Sequence, residues 1–168
     1  MIDINQVRAN IEQWIVNFVE VPHPGLGGWP PCPYARKARL DRDFDVRLGL
    51  APMQDLTQVS CQGLEGKSVV IFAYEPKVIS YEELRNAVNV CNQELLVPKN
   101  LLALEDHPED SEVVNGVVMN NKTYALILIQ SLSDLNEKAR LVARKGYYDT
   151  WPNEYLTLLF KHRQDPRL

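Results

Sequence analysis

The chain has 168 residues, 45% of them hydrophobic and 24% charged, which excludes a disordered or collagen-like polymer and suits one globular domain over 1–168. Eighteen basic against 22 acidic residues give a formal charge of −4, so no strong polyanion-attracting field is implied. No apolar run approaches the roughly 20 residues that cross a bilayer, and three cysteines make a poor disulfide framework, so a cytoplasmic, reducing location is expected.

From the N-terminus, Ile4, Val7, Ile11, Trp14, Ile15 and Phe18 recur at three- and four-residue steps, the period of an amphipathic helix. Asp3 can cap it, with Gln6 placed as a capping-box partner, and the stripe predicts that Trp14 and Phe18 pack on a sheet. Val21 to Tyr34 holds 5 of the 11 prolines and 3 of the 8 glycines, together with Trp29, and reads as an ordered loop. A short helix should follow, with Cys32 at its N-cap and Pro33 at its first position.

Phe44 to Leu48 alternates like a strand, whereas Gly49 to Gly66 has too little periodicity to assign. Lys67 to Tyr74 is the strongest strand signal, apolar on both faces. Ser80 with Glu83 forms a capping box that opens a helix up to Pro98. Leu101 to Glu105 is a short strand, ended by Asp106-His107-Pro108 and a solvated acidic run. Asn115-Gly116 is a hairpin-turn dipeptide, and Tyr124 to Gln130 is a second strong strand. Helices at Ser133 to Lys145, closed by Gly146, and at Pro152 to His162 complete the chain.

This order predicts an α+β fold: an antiparallel four-stranded sheet with helices packed on one face, a permuted ferredoxin-like sandwich. The expected strand order is first-second-fourth-third, with Val69–Tyr74 and Tyr124–Ile129 adjacent, antiparallel and central.

The stretch from Cys32 to Arg39 carries the most chemical suggestion. A cysteine at a helix N-cap faces unsatisfied N–H groups, and Arg36, Lys37 and Arg39 add positive charge; both favour the thiolate. Its string resembles the Cys-Pro-Tyr turn of glutaredoxins, in which such a cysteine is the nucleophile. Gly25 to Pro31 supplies no preceding strand, and Ala35 stands where a resolving cysteine would be, so the likeness is of the turn alone.

A wider resemblance rests on three stretches: Cys32-Pro33-Tyr34-Ala35, His107-Pro108, and Asn121-Lys122-Thr123-Tyr124 before a strand. In order and spacing these resemble a bacterial family of uncharacterised activity that carries Cys-Pro-aromatic-Ala and His-Pro motifs. The resemblance implies a shared fold and a shared site, and no particular reaction.

Two functional readings follow. In the first, Cys32 and His107 form the catalytic pair of a thiol-dependent or redox-active enzyme. Tyr34, Arg36 and Arg39 then bind a small anionic substrate, while Trp29 shields the cleft. In the second, the Pro/Gly loop and the aromatic residues make a non-catalytic surface for a protein partner. Asp41, Asp43 and Asp45 cancel much of the local basic charge, which argues against nucleic acid. Cys32, His23 and His107 lack close ligand spacing, so no metal is expected, and the identity of any cofactor is left open by the sequence.

Overall fold

The computed structural model describes residues 2–168. It is a mixed α+β architecture around a four-stranded sheet. Helix α1 (Ile4–Trp14) starts at Asp3, whose side chain accepts the Asn5 N–H at 2.8 Å. Gln6 does not complete a capping box; its amide reaches forward to Asn10 Oδ1 at 2.8 Å. The helix then widens into a π turn at Ile15–Val19.

After the Pro/Gly loop comes a short α2 (Ala35–Leu40), then strand β1 (Phe44–Leu48), helix α3 (Pro52–Gln62) and strand β2 (Val69–Tyr74). Helix α4 (Tyr81–Cys91) opens on the expected capping box, with the Ser80 hydroxyl and the Glu83 carboxylate each taking the other's backbone N–H. Strand β3 (Leu101–Asp106) precedes a small hairpin of β4 (Val113–Val114) and β5 (Val117–Val118), turned by Asn115 and Gly116 at positive φ. Strand β6 (Ala125–Ser131), α5 (Leu132–Arg144) and α6 (Asn153–Leu159) follow.

The sheet order is β1-β2-β6-β3, so β2 and β6 are the central, antiparallel neighbours that the sequence predicts. The polarity of the sheet is a correction. β1 runs parallel to β2, with Phe44 opposite Val69, because the segment left unassigned in the sequence is helix α3. A parallel neighbour needs a crossover, and α3 is that crossover. Its apolar stripe is narrow, essentially Leu56 and Val59, which is why its period is hard to read. Buried Asp55 anchors the helix start by accepting the Leu50 and Ala51 N–H groups at 2.9 and 3.2 Å and the Tyr74 hydroxyl at 2.7 Å.

Cover on one face only is also corrected. Val70, Phe72, Tyr74, Ile127 and Ile129 pack on Leu56, Val59, Leu84 and Val88 of α3 and α4. Their strand neighbours Ile71, Ala73 and Leu126 turn the other way, onto Val7 and Ile11 of α1 and Ile15 of the π turn. Period-two alternation thus feeds two apolar layers, which is why the central strands carry almost no polar residues. A third cluster joins Leu26 of the loop, Val114 of the hairpin, Ala139 and Val142 of α5, and Tyr147, Trp151, Leu156 and Phe160. Asn92, at the end of α4, is buried against the outer side of β3. Its amide donates to Ala103 O at 2.9 Å and accepts Ala103 N–H at 2.8 Å.

Candidate functional site

The thiol turn differs from its expected form in two ways. Regular helix begins at Ala35, with Tyr34 as the cap residue, so Cys32 sits in the turn before the helix and does not cap it. The Cys32 N–H donates to Val19 O at 3.0 Å, and its carbonyl accepts Ala35 N–H at 3.2 Å. Burial of the sulfur raises the Cys32 pKa. The backbone N–H groups of Tyr34 and Ala35 and the charge of Lys138 oppose that shift without overcoming it. The neutral thiol, not the thiolate, is the favoured form.

The residues grouped with Cys32 are occupied elsewhere. Arg39 grips the Glu20 carboxylate with a two-pronged fork at 2.9 and 2.7 Å, holding Glu20 below the usual carboxylate range. Arg36 points into solvent. The Tyr34 ring lies under the Lys138 ammonium at 5.2 Å. Trp29 meets the Tyr147 ring edge-on at 5.6 Å within the third cluster, and Tyr147 donates its hydroxyl to Pro31 O at 2.5 Å. Trp29 is therefore packing and not a shield over a cleft.

His107 is completely buried and has both ring nitrogens engaged. Nε2 lies 2.8 Å from Ile79 O, and Nδ1 accepts the Glu109 N–H at 3.0 Å, which fixes the tautomer with its proton on Nε2. Its hydrogen-bond and ring partners include Ile79, Tyr81, Glu109 and Asn120, whereas the backbone of Cys32 bonds to Val19 and Ala35. The structure gives the two residues separate surroundings and leaves His107 no lone pair for a thiol proton. Among the described residues, no three His, Cys, Asp or Glu side chains are arranged to hold a metal. All three cysteines are free; Cys61 is exposed and Cys91 is core.

A different rim is open. Where β2 and β3 end and β6 begins, α1 and the segment 120–124 enclose a cleft of about 390 Å³. Asn10, Trp14 and Phe18 face it from α1 and its π turn; Val118, Asn120, Asn121, Lys122, Thr123 and Tyr124 face it from the other side. This revises the expectation for the first helix: Trp14 is half-buried at the border of the α1 layer, and Phe18 stands on the cleft. The two rings lie near-parallel, at 12°, with centroids 6.5 Å apart.

The opposite wall is made of amides held by backbone bonds. Both oxygens of Asp106, at the end of β3, accept the Asn121 N–H at 3.1 and 2.9 Å. Burial, aided by the charges of Glu112 and Asp110, pushes the Asp106 carboxyl up to about 7, against the pull of that N–H and of Lys122. Asn121 Oδ1 accepts the N–H groups of Thr123 and Tyr124 at 2.8 and 2.9 Å, curling the chain into β6. The Tyr124 hydroxyl accepts a bond from Asn10 Nδ2 at 2.7 Å, which joins the two walls.

Asn120 is 4% exposed and donates its amide to His107 O at 3.0 Å, yet its Oδ1 is buried with no partner. It is one of five such side-chain atoms among the described residues, with His23 Nε2, Trp151 Nε1, His162 Nε2 and Arg163 Nε, and Asn120 alone of these residues lines the cleft. In the sequence, Asn121 to Tyr124 stand out only through the family resemblance, with no individual role. The available signal is two adjacent asparagines just ahead of a strong strand, which is a stop-and-turn element with amide groups to spare.

The class these features define is an α+β domain with a small amide-and-aromatic cleft at the carboxyl ends of β2 and β3, and strand carboxyl ends are a recurrent place for ligands in α/β sheets. Comparison with protein-family models, curated proteins and solved structures finds no match to this chain. No helix among the described residues is long and apolar enough to cross a membrane.

Proposed function

We propose that this protein is a non-catalytic small-ligand-binding module whose site is the cleft between α1 and segment 120–124. The observation that carries the reading is a cleft walled by Trp14 and Phe18 on one side and by Asn120 and Asn121 on the other, with the buried Oδ1 of the lining residue Asn120 unpaired. An orphan acceptor costs roughly 1–3 kcal/mol, which a ligand donor would recover on binding. The cleft volume of about 390 Å³ falls in the range of small-molecule sites. The Pro/Gly loop, by contrast, contributes Leu26 and Trp29 to the third apolar cluster and offers a partner little free aromatic surface.

The thiol-enzyme reading is weaker on the same physical grounds: its thiol is held neutral and its histidine has no free nitrogen.

The test is a thermal-unfolding screen of a diverse small-molecule set on the protein and on Thr123→Trp. Thr123 is an exposed cleft residue, so the new indole fills the cleft without touching the core. Compounds that raise the wild-type midpoint but not that of the variant are expected. Compounds that raise both equally, or no active compound at all, overturn the reading.

A further inference from the structure

Three observations narrow what the cleft takes. The first is its floor and wall on the α1 side. Trp14 and Phe18 line the cleft with ring planes 12° apart and centroids 6.5 Å apart, and Phe18 also meets the His23 ring at 5.1 Å; such an aromatic lining suits a flat ring more than a branched aliphatic group.

The second is the pattern of hydrogen-bonding groups opposite. Asn120 Oδ1 is a buried acceptor without a donor. Beside it, Asn121 commits its side-chain oxygen to the Thr123 and Tyr124 N–H groups, which leaves its amide nitrogen as a donor. One acceptor and one donor on adjacent asparagines complement an edge that carries an N–H or NH₂ next to a carbonyl or ring nitrogen. That is the edge of a nucleobase, and amide side chains read such edges by this pairing.

The third is charge. The lining contains no carboxylate, and its single ionic group is the exposed Lys122. An anionic group attached to the ring would sit at that end. A sugar alone would meet the aromatic wall, but it offers hydroxyls that need no particular donor or acceptor order and nothing for the ammonium.

We propose that the cleft between α1 and segment 120–124 binds a nucleoside monophosphate, its base on Trp14 and Phe18, its base edge on Asn120 and Asn121, and its phosphate toward Lys122. This rests on the binding-module reading and assigns the ligand class of that same site. Asn120 accepts from the base and Asn121 donates to it, while Lys122 supplies a point charge and not a geometric fork. Among the described residues that line the cleft there is no other cation to track a longer backbone, so the ligand is the mononucleotide and not a nucleic acid strand.

The experiment is isothermal titration calorimetry of the full chain with the common ribonucleoside monophosphates, the matching nucleosides, ribose phosphate and a neutral monosaccharide. At least one monophosphate is expected to bind one-to-one with a Kd below about 1 mM. Its nucleoside should bind about 2- to 5-fold more weakly, the scale of one exposed ion pair, and Lys122→Ala should remove that difference. Trp14→Leu should weaken the monophosphate by about 5- to 100-fold, the range for loss of one base–aromatic stack. If Trp14→Leu does not fold, the exposed Lys122→Ala and Thr123→Trp variants still decide the matter.

Ribose phosphate binding as tightly as the nucleotide, or nucleotide binding that Thr123→Trp leaves intact, overturns the proposal. Monosaccharide binding that Thr123→Trp abolishes, with no nucleotide bound, overturns the ligand class and keeps the site. Failure of every ligand here together with failure of the wider screen overturns the site itself.

Discussion

The turn at Cys32 and the rim at Asn120–Tyr124 both sit beside α1 and its π turn, and both carry polar groups close to apolar surface. They are built in opposite ways. Around Cys32 the polar groups are spoken for: its N–H meets Val19, Arg39 holds Glu20, Tyr147 meets Pro31, and the sulfur is desolvated. At the rim, the backbone is fixed by Asp106 and Asn121, while Asn120 Oδ1 is left without a partner beside an open cleft. A reactive residue type in a saturated setting is a structural part. A plain amide in a rigid setting with one bond unmade is the better sign of a ligand.

Several substitutions sharpen or break this contrast. The largest effect is expected for His107→Ala, which removes a buried ring and strands Ile79 O and the Glu109 N–H. The loss should be roughly 3–5 kcal/mol in urea unfolding. A loss below about 1 kcal/mol would show that the ring is not the structural clamp described above.

Next comes the pH dependence of Asp106. Its folded pKa, about 7, stands above the ordinary carboxyl value of 3.8, so the folded state holds the proton more tightly than the unfolded one. The contribution to stability is therefore full below about pH 4 and is lost as pH rises through about 7. Glu105 and Glu112 are shifted upward by burial as well and add to the slope in the same sense. Unfolding of wild type and Asp106→Asn across this window should differ in slope by about 2–4 kcal/mol in total. Parallel curves would mean that Asp106 stays ionised throughout.

Trp14→Ala should cost about 1–2 kcal/mol, below the 3–5 typical of a fully buried large aromatic, because one face borders the cleft. A cost in the full range would place that ring in the core and remove the aromatic wall. The smallest effect is on thiol chemistry. Cys32 should alkylate about tenfold more slowly than exposed Cys61 near neutral pH, with a midpoint above the ordinary thiol value. Faster reaction at Cys32 would restore the thiol-enzyme reading.

Much of the frame was legible because it depends on local rules. The Ser80–Glu83 box, the Asn115-Gly116 hairpin, and the pairing of Val69–Tyr74 with Ala125–Ser131 follow from spacing and apolar runs. Sheet polarity was not legible, because it turned on α3, whose buried stripe is shared by Leu56 and Val59 with the polar residues Asp55 and Ser60. The cleft was hidden for a related reason. Trp14 and Phe18 obey the helical stripe that normally means core, and only the arrival of segment 120–124 beside them decides that they border open space. The Asn120-Asn121 pair signals a turn ahead of a strand, but the unpaired oxygen of Asn120 has no sequence signature, since it exists only once His107 O has taken the amide.

One side chain elsewhere bears on how copies of this protein meet. Asn92 presses its amide onto the outer border of β3, giving Ala103 the same pair of hydrogen bonds that a fifth strand would give. It works as a single-residue plug against strand addition. The sheet is closed to extension at that point, and β1 is its opposite border. Asn92→Ala would unseal Ala103, and the first sign would be rapid hydrogen exchange at that one amide.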